Sequence, residues 1–194
     1  AIGAENVTGV LMPSRYTSDE SIQLALDQVK MLGIKHEIIS IEEPFDAFLD
    51  SLSDIFVETE EGITEQNLQA RCRGTTLMAL SNKFGSMVLS TGNRSELAVG
   101  YATLYGDMAG GFCAISDVPK TLVYKLSEYR NTLSHVIPQS VIDRPPTAEL
   151  AENQLDTDSL PPYDQLDHIL ELYIDLEHSV DEITNVGFDR DVVV

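Results

Sequence analysis

The sequence predicts an α/β fold, with a parallel sheet and helices on both faces, from three observations. Short, nearly continuous apolar runs alternate with longer segments whose apolar residues recur at helical spacing. Uninterrupted apolar runs are typical of strands that are buried on both faces of a parallel sheet. The helical segments begin at capping residues or proline, and two of them end at glycine. Ligands of such sheets bind beyond the carboxyl ends of the strands, so we expect the site there.

The first part of the chain predicts two strands that alternate with helices. Val7–Pro13 is an apolar run that ends at proline, and residues 36–41 (HEIISI) form the second strand. Between them, Ser18 caps a helix that ends at Gly33, with its apolar face formed by Ile22, Leu26, Val29 and Leu32. Pro44 opens the next helix, whose apolar face consists of Phe45, Phe48, Leu49, Leu52 and Phe56.

A third helix and a third strand lead into an unusually polar stretch. Thr64 caps a helix that continues to Gly85, and Ser86–Ser90 (SMVLS) is predicted to be a buried strand. The stretch that follows reads STGNRSELAVGYATLYGDMAGGF and is dense in hydroxyls, amides and glycines. Because it begins where a strand ends, it is a candidate ligand site, as is MPSRYTS after the first strand.

The charge of the chain is unevenly distributed. The net charge is −20, but the segment Arg71–Arg130 holds seven Lys or Arg against four acids, a balance of +3, so the remainder carries −23. An acidic exterior argues against nucleic acid and anionic membranes as partners. A local group of cations suits a small anionic ligand such as a nucleotide, although ordinary solvated Lys and Arg side chains give the same pattern.

Several other classes of protein are disfavoured by what the sequence lacks. It has no apolar run long enough for a membrane span and no signal peptide, so we expect a cytoplasmic protein. The two cysteines, Cys72 and Cys113, are far apart without CxxC spacing, which favours reduced thiols over a disulfide or a zinc site. There is no Walker loop, no GxGxxG and no HExxH, and no nucleophile motif lies near any of the four histidines.

The chemistry of the polar stretch itself suits a nucleotide. Thr91 and Asn93 offer neutral donors and acceptors, Arg94 offers a fork of donors, and Glu96 offers a carboxylate for Mg²⁺ against phosphate oxygens. The alternative for Glu96 is an acid in the first turn of a helix, SELAVGYA, where it complements the helix dipole.

Five motifs then resemble one family. NLQARCRGTTLMALSN, STGNRSELAVGYATLYGDMAGGF, DVPKTLVYKLSEYRN, RPPTAEL and SLPPYDQLD occur in this order and together resemble the synthetase domain of NAD⁺ synthetases. MPSRYTSDES is most similar to the glutamine-dependent, two-domain members. The resemblance implies an adenine-nucleotide alpha-hydrolase-like (Rossmann-like) fold. It also implies adenylation of deamido-NAD⁺ by ATP and Mg²⁺, after which ammonia, derived from glutamine in the parent enzyme, displaces AMP. Members of the family form homodimers through this domain, so a homodimer is implied as well.

The resemblance also implies roles for individual residues on the ATP side of the site. Thr91 corresponds to a nucleotide contact, and Glu96 to a ligand of Mg²⁺. Lys120 and Thr147 correspond to catalytic residues that hold the ATP phosphates. A lysine, a hydroxyl and a metal stabilise the charge that develops on the α-phosphate and on the leaving pyrophosphate. The alternatives are a surface lysine in the first turn of a helix for Lys120 and a helix cap for Thr147.

On the deamido-NAD⁺ side, the resemblance implies three residues. Asn67 and Arg71 in NLQAR correspond to substrate contacts, and Arg71 offsets the charge of a phosphate or carboxylate. Asp107 in YGD is expected on the loop that covers this substrate, or, as the alternative, as a turn former before Gly110 and Gly111.

The chain departs from the family pattern at its start. The family has an SGGxDS phosphate loop after its first strand, and this motif is absent. Ala1 and Ile2 before Gly3 are typical of the last turn of a helix and its cap, and the chain stops in the apolar run VVV. We therefore expect a fragment of a larger synthetase, truncated at both ends and inactive alone. Residues 1–150 would be the ATP- and deamido-NAD⁺-binding domain without its first strand and phosphate loop, and residues 151–194 its acidic, mainly helical extension.

Two other functions remain open from the sequence. The chain is alternatively a catalytically silent nucleotide-binding or dimerisation module. It is alternatively part of another ATP pyrophosphatase, such as a GMP or asparagine synthetase, although NLQARCR together with YGDMAGGF resembles the NAD⁺ branch alone.

Overall fold

The computed structural model describes residues 2–194 as short parallel strands surrounded by helices. The strands are β1 (Thr8–Leu11), β2 (Lys35–Ile38), β3 (Leu89–Ser90) and β4 (Phe112–Cys113). The α-helices are α1 (Asp19–Leu32), α2 (Glu42–Leu52), α3 (Ile63–Phe84), α4 (Arg94–Ala98), α5 (Lys120–Leu133), α6 (Gln139–Asp143), α7 (Tyr163–Leu170), α8 (Val180–Asn185) and α9 (Arg190–Val193). A 3₁₀-helix covers Asp156–Asp158, and a π-helix, Glu171–Asp175, follows α7 directly. Between residues 2 and 194, none of the helices combines the length and the apolar character needed to cross a bilayer.

The first β-α-β unit has the predicted order of elements, but β1 covers only Thr8–Leu11 of the predicted Val7–Pro13 and none of its residues is buried. β1 and β2 are parallel, with Thr8 opposite Lys35. Between them, the Ser18 hydroxyl accepts the N–H of Ser21 at 3.1 Å and caps α1, while Gly33 ends the helix in the left-handed conformation at φ 66°. The predicted second strand was too long, because β2 ends at Ile38 and Ile41 already precedes α2.

Two predicted helix starts are wrong by two residues. α2 begins at Glu42 rather than Pro44, because a proline in the first turn removes no hydrogen bond that the helix needs. α3 begins at Ile63 rather than after a Thr64 cap. The Glu65 carboxylate, in the first turn of α3, accepts the Gly62 N–H at 2.6 Å. The hydrogen-bonding need of this backbone group is therefore met by a residue within the helix. The predicted end at Gly85 is confirmed, with φ 65°.

The third strand is neither as long nor as buried as the sequence predicts. Only Leu89–Ser90 pairs, in parallel with Phe112–Cys113, and Leu89 is 51% exposed. The prediction assumed neighbours on both sides, whereas within residues 2–194 the one strand paired with β3 is β4. The described strands therefore form two parallel pairs rather than one continuous sheet.

Two small apolar clusters hold the helices together. One consists of Ile41, Phe45 and Cys72 and joins α2 to α3, and the other consists of Ile169, Leu172 and Ile183 in the C-terminal part. Cys72 and Cys113 are both free thiols, as predicted. Burial in the first cluster raises the pKa of the Cys72 thiol, which makes it a packing residue rather than a nucleophile.

Gly74 lets the loop of residues 101–109 lie directly on α3. A Cβ at this position would be 2.5 Å from the carbonyl oxygen of Tyr105 and 2.8 Å from that of Gly106. Any side chain would therefore separate the loop from the helix. This contact determines where the loop presents its polar residues.

The predicted helix end at Ala1–Gly3 falls partly on Ala1, which lies outside the described residues. Gly3 itself has φ 88° and leads into a single 3₁₀ turn, Ala4–Asn6, before β1.

Candidate functional site

A cavity of ≈ 840 Å³ brings five of the predicted site residues together. Its walls come from α1, α3, the loop of residues 100–107, the start of α5 and the segment 137–156. The predicted residues on its walls are Asn67, Glu96, Asp107, Lys120 and Thr147. Thr91 and Arg71 are not among the lining residues, and both are exposed.

Lys120 and Glu96 form an ion pair on the cavity wall. The Lys120 Nζ donates to Glu96 Oε1 at 2.7 Å, and each side chain is 18% exposed. Glu96 also closes a capping box on α4, because Glu96 Oε2 accepts the Asn93 N–H at 3.2 Å and Asn93 Oδ1 accepts the Glu96 N–H at 3.0 Å. The structure therefore confirms the alternative for Glu96, an acid in the first turn of a helix. Its role as a ligand of Mg²⁺ stays a prediction.

The start of α5 is capped by two other helices. Pro119 precedes the helix and offers no side-chain cap. The Lys120 N–H donates to Ser95 Oγ of α4 at 2.8 Å, and the Thr121 N–H donates to Asp167 Oδ2 of α7 at 2.9 Å. The Ser95 hydroxyl in turn donates to Asp167 Oδ1. Lys120 is thus the first residue of a helix whose position depends on α4 and α7.

A buried carboxylate lies beside this ion pair. Asp156 is 4% exposed and accepts hydrogen bonds from the hydroxyls of Tyr101 at 3.2 Å and Tyr163 at 2.8 Å. Burial and the neighbouring Asp156 charge raise the pKa of Tyr101 to about 12 and raise that of Tyr163 further. Both phenols therefore remain neutral donors at physiological pH.

Thr147 shapes the loop of residues 146–156. Its hydroxyl donates to the carbonyl oxygen of Gln154 and accepts the Glu149 N–H at 3.1 Å. No helix begins at Thr147, so the alternative of a helix cap is wrong. The residue lines the cavity, and its proposed contact with phosphate stays a prediction.

Two further residues that line the cavity, Asn67 and Asp107, are joined through Thr103. The Thr103 hydroxyl donates to Asn67 Oδ1 at 2.7 Å, and its N–H donates to Asp107 Oδ1 at 2.7 Å. The Asn67 amide nitrogen is therefore the end of this side chain that remains available to a ligand's acceptors. Arg71 lies outside the cavity, where its Nε donates to the carbonyl oxygen of Leu104 at 3.2 Å.

Arg73 is a cavity-lining residue that the sequence motifs did not single out. Arg73 lines the cavity, and its Nε donates to the carbonyl oxygen of Met12 at 3.0 Å, while within residues 2–194 it forms no ion pair. Burial lowers the pKa of its guanidinium, which still remains charged. The spacing of residues along α3 could have identified Arg73. One face of this helix carries Gln66, Asn67, Ala70 and Arg73 but not Arg71.

A second missed cluster holds the start of α1 against the loop after α6. Arg144 donates to Ser18 Oγ at 3.2 Å and to Glu149 Oε1 at 3.0 Å. Glu149 Oε1 also accepts the hydroxyls of Ser18 at 2.9 Å and Ser21 at 2.7 Å. Burial alone would raise the pKa of Glu149, but these hydrogen bonds and the Arg144 charge outweigh it and lower that pKa.

The donor set determines which metal the cavity suits. Within the described part of the chain, no three His, Cys, Asp or Glu residues group as a metal cage. Glu96 is the carboxylate on the wall beside Lys120. The acidic lining residues offer carboxylate oxygens, and among residues 2–194 no His or Cys lines the cavity, a donor set that suits Mg²⁺ better than Zn²⁺. Mg²⁺ retains waters and takes its other ligands from substrate phosphates.

Comparison with known proteins covers the whole chain. Residues 1–194 match the family model described as NAD synthase. A glutamine-dependent NAD(+) synthetase from Xanthomonas campestris is 55% identical over 195 residues, which cover 100% of this chain and 35% of that protein. The chain therefore spans about a third of the length of the curated relatives it matches.

Solved structures agree with this match. The glutamine-dependent NAD⁺ synthetase of Acinetobacter baumannii, in complex with adenosine diphosphate, superposes with a TM-score of 0.73 at 48% identity and covers 99% of this chain and 34% of that chain. The NMN synthetase of Francisella tularensis superposes with a TM-score of 0.77 at 28% identity and covers 93% of this chain and 71% of that chain. The predicted α/β, adenine-nucleotide alpha-hydrolase-like fold class is confirmed by these neighbours. With the family model matched from end to end, the chain belongs to the NAD synthase family.

Proposed function

We propose that the complete protein makes NAD⁺ from deamido-NAD⁺, with ATP as the adenylating substrate and ammonia as the nitrogen donor. The observation that supports this best is the cavity that the Lys120–Glu96 pair lines together with Asn67, Asp107 and Arg73. Lys120 and Thr147 would offer an ammonium group and a hydroxyl to phosphates. Asn67 and Arg73 would offer an amide and a guanidinium to a second, anionic substrate.

The proposed reaction has two steps. A carboxylate oxygen of deamido-NAD⁺ attacks the α-phosphorus of ATP, and the bond to pyrophosphate breaks. Ammonia then attacks the activated carbonyl carbon, loses a proton, and expels AMP to leave the amide. Lys120 and Thr147 would hold the phosphate oxygens, and Lys120 would offset the charge that develops on the leaving pyrophosphate.

Mg²⁺ belongs to this proposal as well. When bound, the ion would neutralise charge on the phosphates, and Glu96 is the side chain that would hold it. Glu96 accepts the Lys120 ammonium through Oε1 and the Asn93 N–H through Oε2. A ligand that draws Lys120 away would therefore free one carboxylate oxygen for a cation.

The remaining predicted contacts also belong to the proposal. Arg73 would supply on the cavity wall the positive charge that Arg71 was predicted to supply. Arg71 would act by holding the loop at Leu104, and Asp107 would remain on the loop that covers deamido-NAD⁺. Thr91 would contact nucleotide just beyond β3.

The wider context of the enzyme is proposed by analogy with its relatives. The relatives are described as glutamine-dependent, so we propose that glutamine supplies the ammonia in the complete protein. We also propose a cytoplasmic location and a homodimer.

The activity is tested with the complete protein, ATP, Mg²⁺ and either glutamine or an ammonium salt. Deamido-NAD⁺ should yield NAD⁺ and one equivalent of pyrophosphate. Absence of pyrophosphate release would contradict the proposal, and nucleotide binding without turnover would favour a silent binding module.

A second candidate substrate is the deamidated form of NMN. The structural likeness to an NMN synthetase, at a TM-score of 0.77, favours testing it. The same assay distinguishes the two substrates, because the one with the higher kcat/KM is the preferred substrate.

A further inference from the structure

The Lys120 ammonium group has two partners of different kinds. One is the Glu96 carboxylate at 2.7 Å. The other is the aromatic ring of Tyr163, whose centroid lies 5.1 Å from Nζ. The first is an anion that competes directly with a phosphate group for the ammonium protons. The second is neutral and attracts the cation through the face of its ring, so it does not compete with phosphate.

The Tyr163 ring is held in place from its far end. Its hydroxyl donates to Asp156 at 2.8 Å, and the second oxygen of this buried carboxylate accepts the Tyr101 hydroxyl at 3.2 Å. Within residues 2–194, Asp156 forms no ion pair, so these two phenols are its side-chain partners. A phenol that donates to an anion becomes more electron-rich, which strengthens the attraction of its ring for a cation.

This arrangement gives Tyr163 a role that the sequence did not indicate. We propose that Tyr163 is a positioning residue for Lys120, and that its ring, held by Asp156, keeps the ammonium group in the cavity when a phosphate draws it away from Glu96. The inference rests on the proposed function, since that function brings phosphate to Lys120. It assigns Tyr163 no contact with substrate.

The kinetic test compares two substitutions at Tyr163 in the complete protein. Tyr163→Phe keeps the ring and removes the hydroxyl, whereas Tyr163→Leu removes the ring. Tyr163→Leu should lower the kcat of pyrophosphate release about tenfold, the size of a partly desolvated cation–π contact, with little change in the KM for deamido-NAD⁺. Tyr163→Phe should stay within about threefold of the wild type.

A matched variant separates positioning of the lysine from support of the carboxylate. Tyr101→Phe removes the other hydroxyl from Asp156, but the Tyr101 ring is not the one that faces Lys120. If Tyr163 serves Asp156 alone, Tyr163→Phe, Tyr163→Leu and Tyr101→Phe should lose kcat alike. That result would overturn the inference, and so would a Tyr163→Leu variant as active as the wild type.

A spectroscopic readout tests the contact without turnover. In protein labelled with [ε-¹³C]lysine, the Lys120 signal, assigned by its loss in Lys120→Arg, should be shifted upfield by the ring. The shift should remain after ATP or pyrophosphate is added, should remain in Tyr163→Phe, and should disappear in Tyr163→Leu. An upfield shift that vanishes on addition of nucleotide would overturn the inference. A wild-type protein that releases no pyrophosphate would instead contradict the proposed function, and the labelled lysine would still decide whether the contact exists.

Discussion

At the scale of single residues, Glu96 serves α4 and Lys120 at the same time. Glu96→Gln should separate the capping role from the charge, because a glutamine oxygen can still accept the Asn93 N–H. We expect thermal unfolding within a few degrees of the wild type and turnover lowered at least ~100-fold, the size of a lost metal or ammonium contact in the transition state. Steady-state pyrophosphate release at saturating ATP measures this.

The dependence of turnover on Mg²⁺ distinguishes the two roles of Glu96, a ligand of the ion and a residue that stabilises the start of a helix. If the carboxylate holds the ion, the Glu96→Gln variant should need more Mg²⁺ for half-maximal turnover. Near-normal turnover at limiting Mg²⁺ would leave Glu96 as a helix-terminus residue alone.

Arg73→Met should weaken binding of an anionic substrate. The substitution keeps most of the side-chain volume but removes the guanidinium from the cavity wall. Loss of one charge-assisted contact should raise the KM for deamido-NAD⁺ or ATP at least ~10-fold. Arg130→Met is a matched control, because Arg130 is exposed on α5 and bonds to Ser134. Equal KM values in both variants would remove Arg73 from the site.

The residues near the site were predictable to different degrees. Glu96 and Lys120 were proposed because their motifs resemble those of a family. Their direct contact joins residues 24 positions apart, which no rule of local spacing predicts. Arg73 was missed because Arg71, two positions earlier, carried the motif match. Tyr163 was missed because its function depends on Asp156 and Lys120, which lie on other elements.

At the scale of elements, α5 depends on Asp167 of α7 for its N-terminal cap. Asp167→Ala would leave the Thr121 N–H and the Ser95 hydroxyl without this acceptor. We expect the free energy of unfolding to fall by about 1–3 kcal/mol, measured by urea denaturation. Asp164→Ala on the exposed face of α7 is the control and should cost less than ~1 kcal/mol. Equal losses in the two variants would show that Asp167 is not a cap.

The hydrogen bonds of Glu149 to the start of α1 should contribute to the free energy of unfolding in a pH-dependent way. Because hydrogen bonds lower the pKa of Glu149 in the folded state, its contribution to stability is present above the unfolded value, near pH 4.3, and is lost as pH falls through the folded value. The difference in unfolding free energy between wild type and Glu149→Gln should therefore be constant at pH 6–7 and shrink below about pH 4. A difference that stays constant down to pH 3 would contradict this.

Element ends were predicted well where a side chain or a glycine performs the capping. Ser18 and Gly33 bound α1 as the sequence indicates. The prediction failed at α3, where the helix start is satisfied by Glu65 from within the helix and not by Thr64. The caps of α5 could not be predicted from neighbouring residues, because they come from Ser95 and Asp167, which are 25 and 46 residues from their partners.

At the scale of the whole molecule, the 194-residue chain by itself should bind its ligands weakly. The sequence has no SGGxDS motif, and the strands among residues 2–194 form two separate pairs, so we expect few backbone donors to be preorganised for phosphate. We expect dissociation constants in the millimolar range for deamido-NAD⁺, equivalent to ~4 kcal/mol, and weaker binding of ATP. Calorimetric titration decides, and micromolar ATP binding would contradict this account of the phosphate site.

The parallel α/β class was predictable because each apolar run and each capped helix can be recognised from a short segment of the sequence. The division of the strands into two pairs was not predictable. A run such as SMVLS indicates a strand, but its burial depends on which other strands and helices lie beside it. That information lies in long-range contacts, which periodicity does not record.

Gly74 offers a simple marker for comparing this chain with others. Because its missing side chain lets Tyr105 and Gly106 lie against α3, a homologous sequence with a larger residue at the equivalent position must place this loop differently. The geometry of Asn67, Thr103 and Asp107 should then not be transferred to that homologue. The residue at this single position therefore indicates whether the arrangement of Asn67, Thr103 and Asp107 described for this protein is a suitable template for another.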